Sequence, residues 1–152
     1  MPAEFSPSAP WTVLSHLVSV HALVGLDERT LLRHDQDTDT YRPPGTLVHT
    51  GESVEQALQR AIVAQVGADI DRLDFYAAVE LRDENAIGAL ASFELALVYD
   101  VTPVAAGDPP GHDLCWIDTA DMHEIELRPV RIGELLRSER LVVDHAWWPD
   151  RS

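Results

Sequence analysis

The sequence predicts an α/β domain, an α/β/α sandwich in which a mixed β-sheet is covered by helices on both faces. Three observations predict it. Segments rich in β-branched and aliphatic residues lie on both sides of a strongly amphipathic central stretch, that stretch carries both a start and a stop signal for a helix, and a second helix signal follows near the C-terminal end. A chain of 152 residues is the size of one domain with one core. Residues 1–10, with three prolines and two serines, are expected to form a flexible lead-in, and residues 11–152 a single domain.

Taken in order, Trp11 to Leu26 predicts one long strand or two broken ones, and Asp27-Glu28 a turn into a short strand over Thr30 to Arg33. His34 to Thr40 is polar and dense in turn formers, so it is expected as an exposed loop. Its aspartates do not form a calcium loop of the EF-hand type, because the Gly and Glu that such a loop requires are not at their places. Ser53-Val54-Glu55-Gln56 is a capping box, which starts a helix. Val54, Ala57, Leu58, Ala61, Ile62 and Val66 then form one apolar stripe, and Gly67 supplies the stop.

Leu73 to Arg82 and Leu90 to Val101 predict strands joined by the charged Asp83-Glu84-Asn85, and Thr102 to His112 a loop. Leu114 to Ile117 predicts a short buried strand, and Pro129 the first position of a last helix that runs to about Ser138. Trp147-Trp148 must dock on the domain or on a partner.

The balance of 11 Lys+Arg against 26 Asp+Glu gives a net charge of −15, which repels phosphate backbones and anionic lipid heads. Nucleic acid polymers and membranes are thereby disfavoured as partners, and no apolar run approaches the roughly 20 residues needed to span a bilayer. Cys115 is the only cysteine, so no internal disulfide forms, and its thiol is expected to be buried beside Trp116. The seven histidines show no zinc-binding spacing. Met1 to Pro10 lacks the basic start and apolar core of a signal peptide, from which a cytoplasmic location is expected.

The run Tyr41-Arg42-Pro43-Pro44-Gly45-Thr46-Leu47-Val48-His49-Thr50-Gly51-Glu52, with the helix to Gly67, resembles the box of the Nudix (MutT-like) hydrolase superfamily. Glu52 and Arg60 match the first Glu and the Arg of that box, Ile62 its aliphatic position and Gly67 its closing Gly; the opening Gly falls on Thr46, just after Gly45. The resemblance extends over about residues 12–138, through Trp116-Ile117-Asp118 and Glu126-Leu127-Arg128-Pro129. It implies a Nudix-like α/β/α sandwich, a small-molecule ligand that is nucleotide-like or phosphorylated, and an assembly that is a homodimer in many relatives.

The resemblance also implies a set of helix glutamates that hold magnesium or manganese, and here those three positions are Ala61, Ala64 and Gln65. Two methyl groups and a neutral amide do not replace the water shell of a hard cation. A further family Glu has become His49. The expectation is a Nudix-type protein that binds its ligand without ordinary pyrophosphohydrolase activity.

The alternative is a divergent hydrolase of nucleoside diphosphate derivatives, whose magnesium or manganese is held by Glu52, Glu55 and carboxylates outside the helix such as Glu80, Asp83, Glu84 or Glu94. A third reading is a protein-interaction module using Trp147-Trp148. Tyr41, Arg42, His49, Glu52 and Arg60 are the candidate substrate-binding residues and His49 the candidate acid or base. No metal ligand is assigned, and no cofactor is expected unless the alternative holds. Glu52 and Glu55 also suit the positive end of the helix dipole without any metal.

Overall fold

The computed structural model describes residues 17–82, 93–104, 113–138 and 146–149. Trp11 to His16, Asp83 to Glu84 and the lead-in expected over residues 1–10 lie outside them. Nine strands and two helices are described: β1 (Leu17–Leu23), β2 (Gly25–Leu26), β3 (Arg29–Asp35), β4 (Thr40–Arg42), β5 (Gly45–Leu47), α1 (Val54–Gln65), β6 (Ile70–Arg82), β7 (Phe93–Pro103), β8 (Leu114–Asp118), α2 (Val130–Arg137) and β9 (Trp147–Trp148).

The strands form two sheets. The larger has the order β5-β1-β7-β6-β9 and is mixed: β1 runs parallel to β7 and β6 parallel to β9, while β1–β5 and β6–β7 are antiparallel. In the smaller, β3 pairs antiparallel with β2 and β4 and with β8. This second sheet is not foreseen by the sequence patterns, which give strands but not their partners.

α1 packs between the two sheets. Its Ala57, Leu58 and Ile62 meet Val20, Ala22 and Val24 of β1, Leu31 of β3, Val101 of β7 and Leu114 of β8 in one cluster. Alternation along β1 turns Ser19, His21 and Leu23 to the other face. There α2 lays Ile132 and Leu135 over Ala77, Val79, Leu81, Ala96 and Val98, with Leu23 and Trp148 packed alongside. A third cluster, Leu32, Met122 and Leu127, seals the outer side of the smaller sheet. The helices thus cover both faces of the larger sheet, as the alternation of strand and helix signals predicts.

Several boundaries differ. β6 begins at Ile70, and β7 continues through Thr102 and Pro103 into the segment expected as loop, because β6 offers Arg72 and Ile70 as ladder partners there. His34, Asp35 and Thr40 belong to β3 and β4, leaving only residues 36–39 as the turn. Pro129 is the N-cap of α2 rather than its first residue. Cys115 is half-buried, with its thiol directed at the Leu32 carbonyl. The turn at Asp27-Glu28 is present, with both residues at positive φ. Trp148 docks on the domain, whereas Trp147 is exposed. Among the described residues no helix is long and apolar enough to cross a membrane.

Candidate functional site

The box segment is built around the start of α1. The Ser53 hydroxyl accepts from the Gln56 N–H at 3.1 Å and the Gln56 side-chain oxygen accepts from the Ser53 N–H at 2.8 Å, so both partners of the capping box are engaged. The preceding loop is tied down by Arg60 and Glu52. Arg60 donates through Nε to Glu52 Oε2 at 2.9 Å and through Nη2 to Oε1 at 3.0 Å, a two-pronged pair. Nη2 also reaches the Leu47 carbonyl at 2.9 Å, and Glu52 Oε1 accepts the His49 N–H at 3.0 Å. The Arg60 hydrogen bonds, then the one from the His49 backbone, hold the Glu52 carboxyl down at about 2. Arg60 and Glu52 therefore fasten a loop to a helix, and the strongest donors of Arg60 are already in use.

The three positions where the resemblance implies helix glutamates face three different surroundings. Ala61 is 2% exposed, so a glutamate there would be a buried charge. Ala64 is exposed and lines an open groove of about 830 Å³ with Ser53, Gln56, Arg60, Val63 and Leu73. Gln65 turns back to β5. Its Oε1 accepts the Gly45 N–H at 3.1 Å and its Nε2 donates to the Gly45 carbonyl at 2.8 Å.

The amide makes both of those bonds, and an ionised carboxylate cannot. A carboxylate at position 65 would accept from the Gly45 N–H but would face the Gly45 carbonyl oxygen with a second acceptor, which calls for a cation or another donor between them. The Nε2 group supplies that donor within the chain. Gly45 itself is required by closeness: a Cβ there would strike the Val20 carbonyl oxygen and lie 3.2 Å from His21 Nδ1. With one methyl buried, one methyl in the groove, an amide clasped to the backbone and Glu52 held by Arg60, these residues do not fit a hard divalent cation. Among the described residues no three His, Cys, Asp or Glu side chains are grouped as metal ligands.

Glu52 and Arg60 are thus brought together, with the His49 backbone joined to them and the His49 residue exposed on the loop. Tyr41 is elsewhere: it lies half-buried on the smaller sheet, stacked on His34 with ring centroids 4.4 Å apart. Arg42 is exposed and close enough to His21 for its charge to disfavour the imidazolium. Among the described residues it pairs with no carboxylate. Glu80 and Glu94 are adjacent in the β6–β7 ladder but not on one face: Glu94 is opposite Leu81, and Glu80 opposite Leu95. The two cannot serve one metal.

A group that sequence reasoning missed lies on the face away from α1. Ser19 Oγ donates to Glu94 Oε2 at 2.6 Å and lies 2.9 Å from His21 Nε2. Burial, reinforced by Arg42, lowers the His21 pKa to about 4, so its imidazole is neutral at pH 7. The signal was present in β1, where two polar residues two positions apart interrupt an apolar strand and so share a face.

Neither a family model nor a curated protein matches the sequence. Solved structures do. A MutT Nudix hydrolase from Burkholderia pseudomallei is 22% identical, over 83% of this chain and 99% of that one, with a TM-score of 0.63. A Nudix hydrolase from Nitrosomonas europaea is 15% identical over 81% and 88%, with a TM-score of 0.62. A UDP-X diphosphatase is 18% identical over 90% and 68%, with a TM-score of 0.63. The chain has the Nudix fold.

Proposed function

We propose that this Nudix-fold chain binds a nucleotide-like or phosphorylated small molecule without ordinary pyrophosphohydrolase activity. The observation that carries the reading is the Gln65 amide, whose donor end meets the Gly45 carbonyl where a carboxylate would need a cation. A metal-dependent hydrolase needs that cation to polarise the diphosphate and to lower the pKa of attacking water. Arg42, exposed and without a carboxylate partner among the described residues, is the group available to meet a ligand phosphate. The likeness to the UDP-X diphosphatase favours a nucleoside diphosphate derivative as the class to try first.

His49 is assigned a contact role at the rim, since it is exposed on the box loop. Glu52 and Arg60 shape that loop and touch ligand only at its edge. A self-paired dimer and a cytoplasmic location remain parts of the proposal.

The experiment is a binding and turnover panel of nucleoside mono- and diphosphates and nucleotide sugars, with manganese and with chelator. The reading expects saturable binding that chelator leaves unchanged, weakened by Arg42→Ala, and no release of phosphate or nucleoside monophosphate. Turnover that needs manganese, or absence of binding across the panel, overturns it.

A further inference from the structure

The face of the larger sheet covered by α2 carries Asp100 opposite Asp74 at one end and a second polar group at the other. There, at the start of β1 and β7, the chain Glu94, Ser19, His21 runs across that face by hydrogen bonds of 2.6 and 2.9 Å. Ser19 is 3% exposed, and it is the direct neighbour of Ala96 on one side and of Leu47 on the other. Leu17, level with Glu94, and Leu47 are exposed on the same face by 45% and 43%. Two apolar side chains thus flank a half-buried polar floor, which is the composition of a small-molecule site rather than of a packed core.

The carboxylate is the unexplained member. A half-buried charge is ordinarily paired, and among the described residues no cation pairs with Glu94. His21 does not serve, because its imidazole is neutral at pH 7. Since the Ser19 hydroxyl hydrogen is given to Glu94, its oxygen accepts from His21 Nε2–H. That fixes the tautomer and, among the described residues, leaves Glu94 Oε1 without a hydrogen-bond donor. His21 pairs across the β1–β5 ladder with Gly45, where a Cβ would come within 3.2 Å of its Nδ1, and Gly45 is the residue that Gln65 clasps. The orientation of the carboxylate is therefore built in from both faces of the sheet.

We propose that Glu94, oriented by Ser19 and His21 and flanked by Leu17 and Leu47, recognises the paired N–H donors of a flat organic group, as an amidine or a 2-amino-substituted base presents them. A carboxylate takes two adjacent N–H donors side by side, and the leucines cover the plane that carries them. This rests on the reading above in one respect. Arg42, whose charge is felt at His21, would meet the phosphate of a nucleotide whose base sits at Glu94.

The test uses the full chain and four probes in calorimetry: benzamidine, benzamide, guanosine monophosphate and inosine monophosphate, the last lacking the 2-amino group. Benzamidine is expected to bind and benzamide not, and guanosine monophosphate to bind roughly tenfold more tightly than inosine monophosphate. Glu94→Gln should abolish the preference in each pair, and Ser19→Ala should reduce it.

Benzamidine binding that depends on Glu94, without binding of either nucleotide, supports this site and rejects the phosphate reading. Nucleotide binding with no guanine preference, or with a preference that survives Glu94→Gln, rejects this site and leaves the phosphate reading standing. Binding of none of the probes rejects it as well. Thermal unfolding of each variant identifies any that fail to fold, and for these Glu94→Asp, which keeps the charge and withdraws it by one methylene, is expected to weaken guanosine monophosphate and benzamidine more than inosine monophosphate.

Discussion

The Gln65 carboxamide lies edge to edge with the Gly45 peptide, accepting its N–H at 3.1 Å and donating to its carbonyl at 2.8 Å. Helix α1 is thereby joined to strand β5 through one side chain, at the position where the family resemblance implies a metal-binding glutamate. Replacing Gln65 by Leu removes both bonds and leaves two backbone groups unpaired in a half-buried place. The expected loss is roughly 1–3 kcal/mol, read from the midpoint of urea unfolding. Gln65→Glu keeps the N–H partner but sets a carboxylate oxygen against the Gly45 carbonyl, so without a divalent cation its loss should fall in the same range.

Gly45 is expected to tolerate no side chain. Gly45→Ala places a methyl against the Val20 carbonyl, and relief requires the β1–β5 pairing to open. A destabilisation above about 2 kcal/mol is expected, with increased amide exchange confined to β5 and its partner residues Ser19 to His21.

Stability should fall in acid in two separate windows. His21 has its pKa lowered from 6.5 to about 4, so between those values the unfolded chain binds a proton that the folded chain excludes. Its contribution is constant above pH 6.5 and declines as pH falls toward 4, with a slope of at most about 1.4 kcal/mol per pH unit. Glu52 is lowered from 4.5 to about 2, so its contribution is intact above 4.5 and is lost as pH falls toward 2. Urea unfolding from pH 8 to 3 should show both declines, with His21→Gln removing the upper one only and Arg60→Met the lower.

The two tryptophans should behave differently. Trp148 packs against the cluster that α2 forms with the larger sheet, so Trp148→Ala is expected to cost about 1–3 kcal/mol. Trp147 is 54% exposed, and Trp147→Ser should change stability by no more than about 0.5 kcal/mol. If the pair serves a partner, the Trp147 variant folds normally and loses only the association, measured by light scattering.

What could be seen in the sequence was local. The capping box, the apolar stripe of α1 and the turn at Asp27-Glu28 each depend on residues a few positions apart, and all are present. Arg60 and Glu52, eight residues apart across a loop and a helix, belong to the same class. The Gln65 clasp spans 20 residues and the Ser19–Glu94 bond 75, and both depend on which strands pair and in what register. Periodicity does not contain that information. The division into two sheets was hidden for the same reason. β3 takes partners on both sides, and nothing in its own alternation says so.

The decisive comparison is manganese calorimetry on the parent chain and on the double variant Ala64→Glu, Gln65→Glu, which spares the buried Ala61. No saturable heat should appear with the parent, and the variant should gain a site, since Glu at 65 turns the Gly45 carbonyl into a co-ligand and Glu at 64 faces the groove. Stoichiometric manganese binding by the parent, at an affinity equal to that of the variant, would mean that its metal is held by other carboxylates and that the Gln65 clasp has no bearing on it.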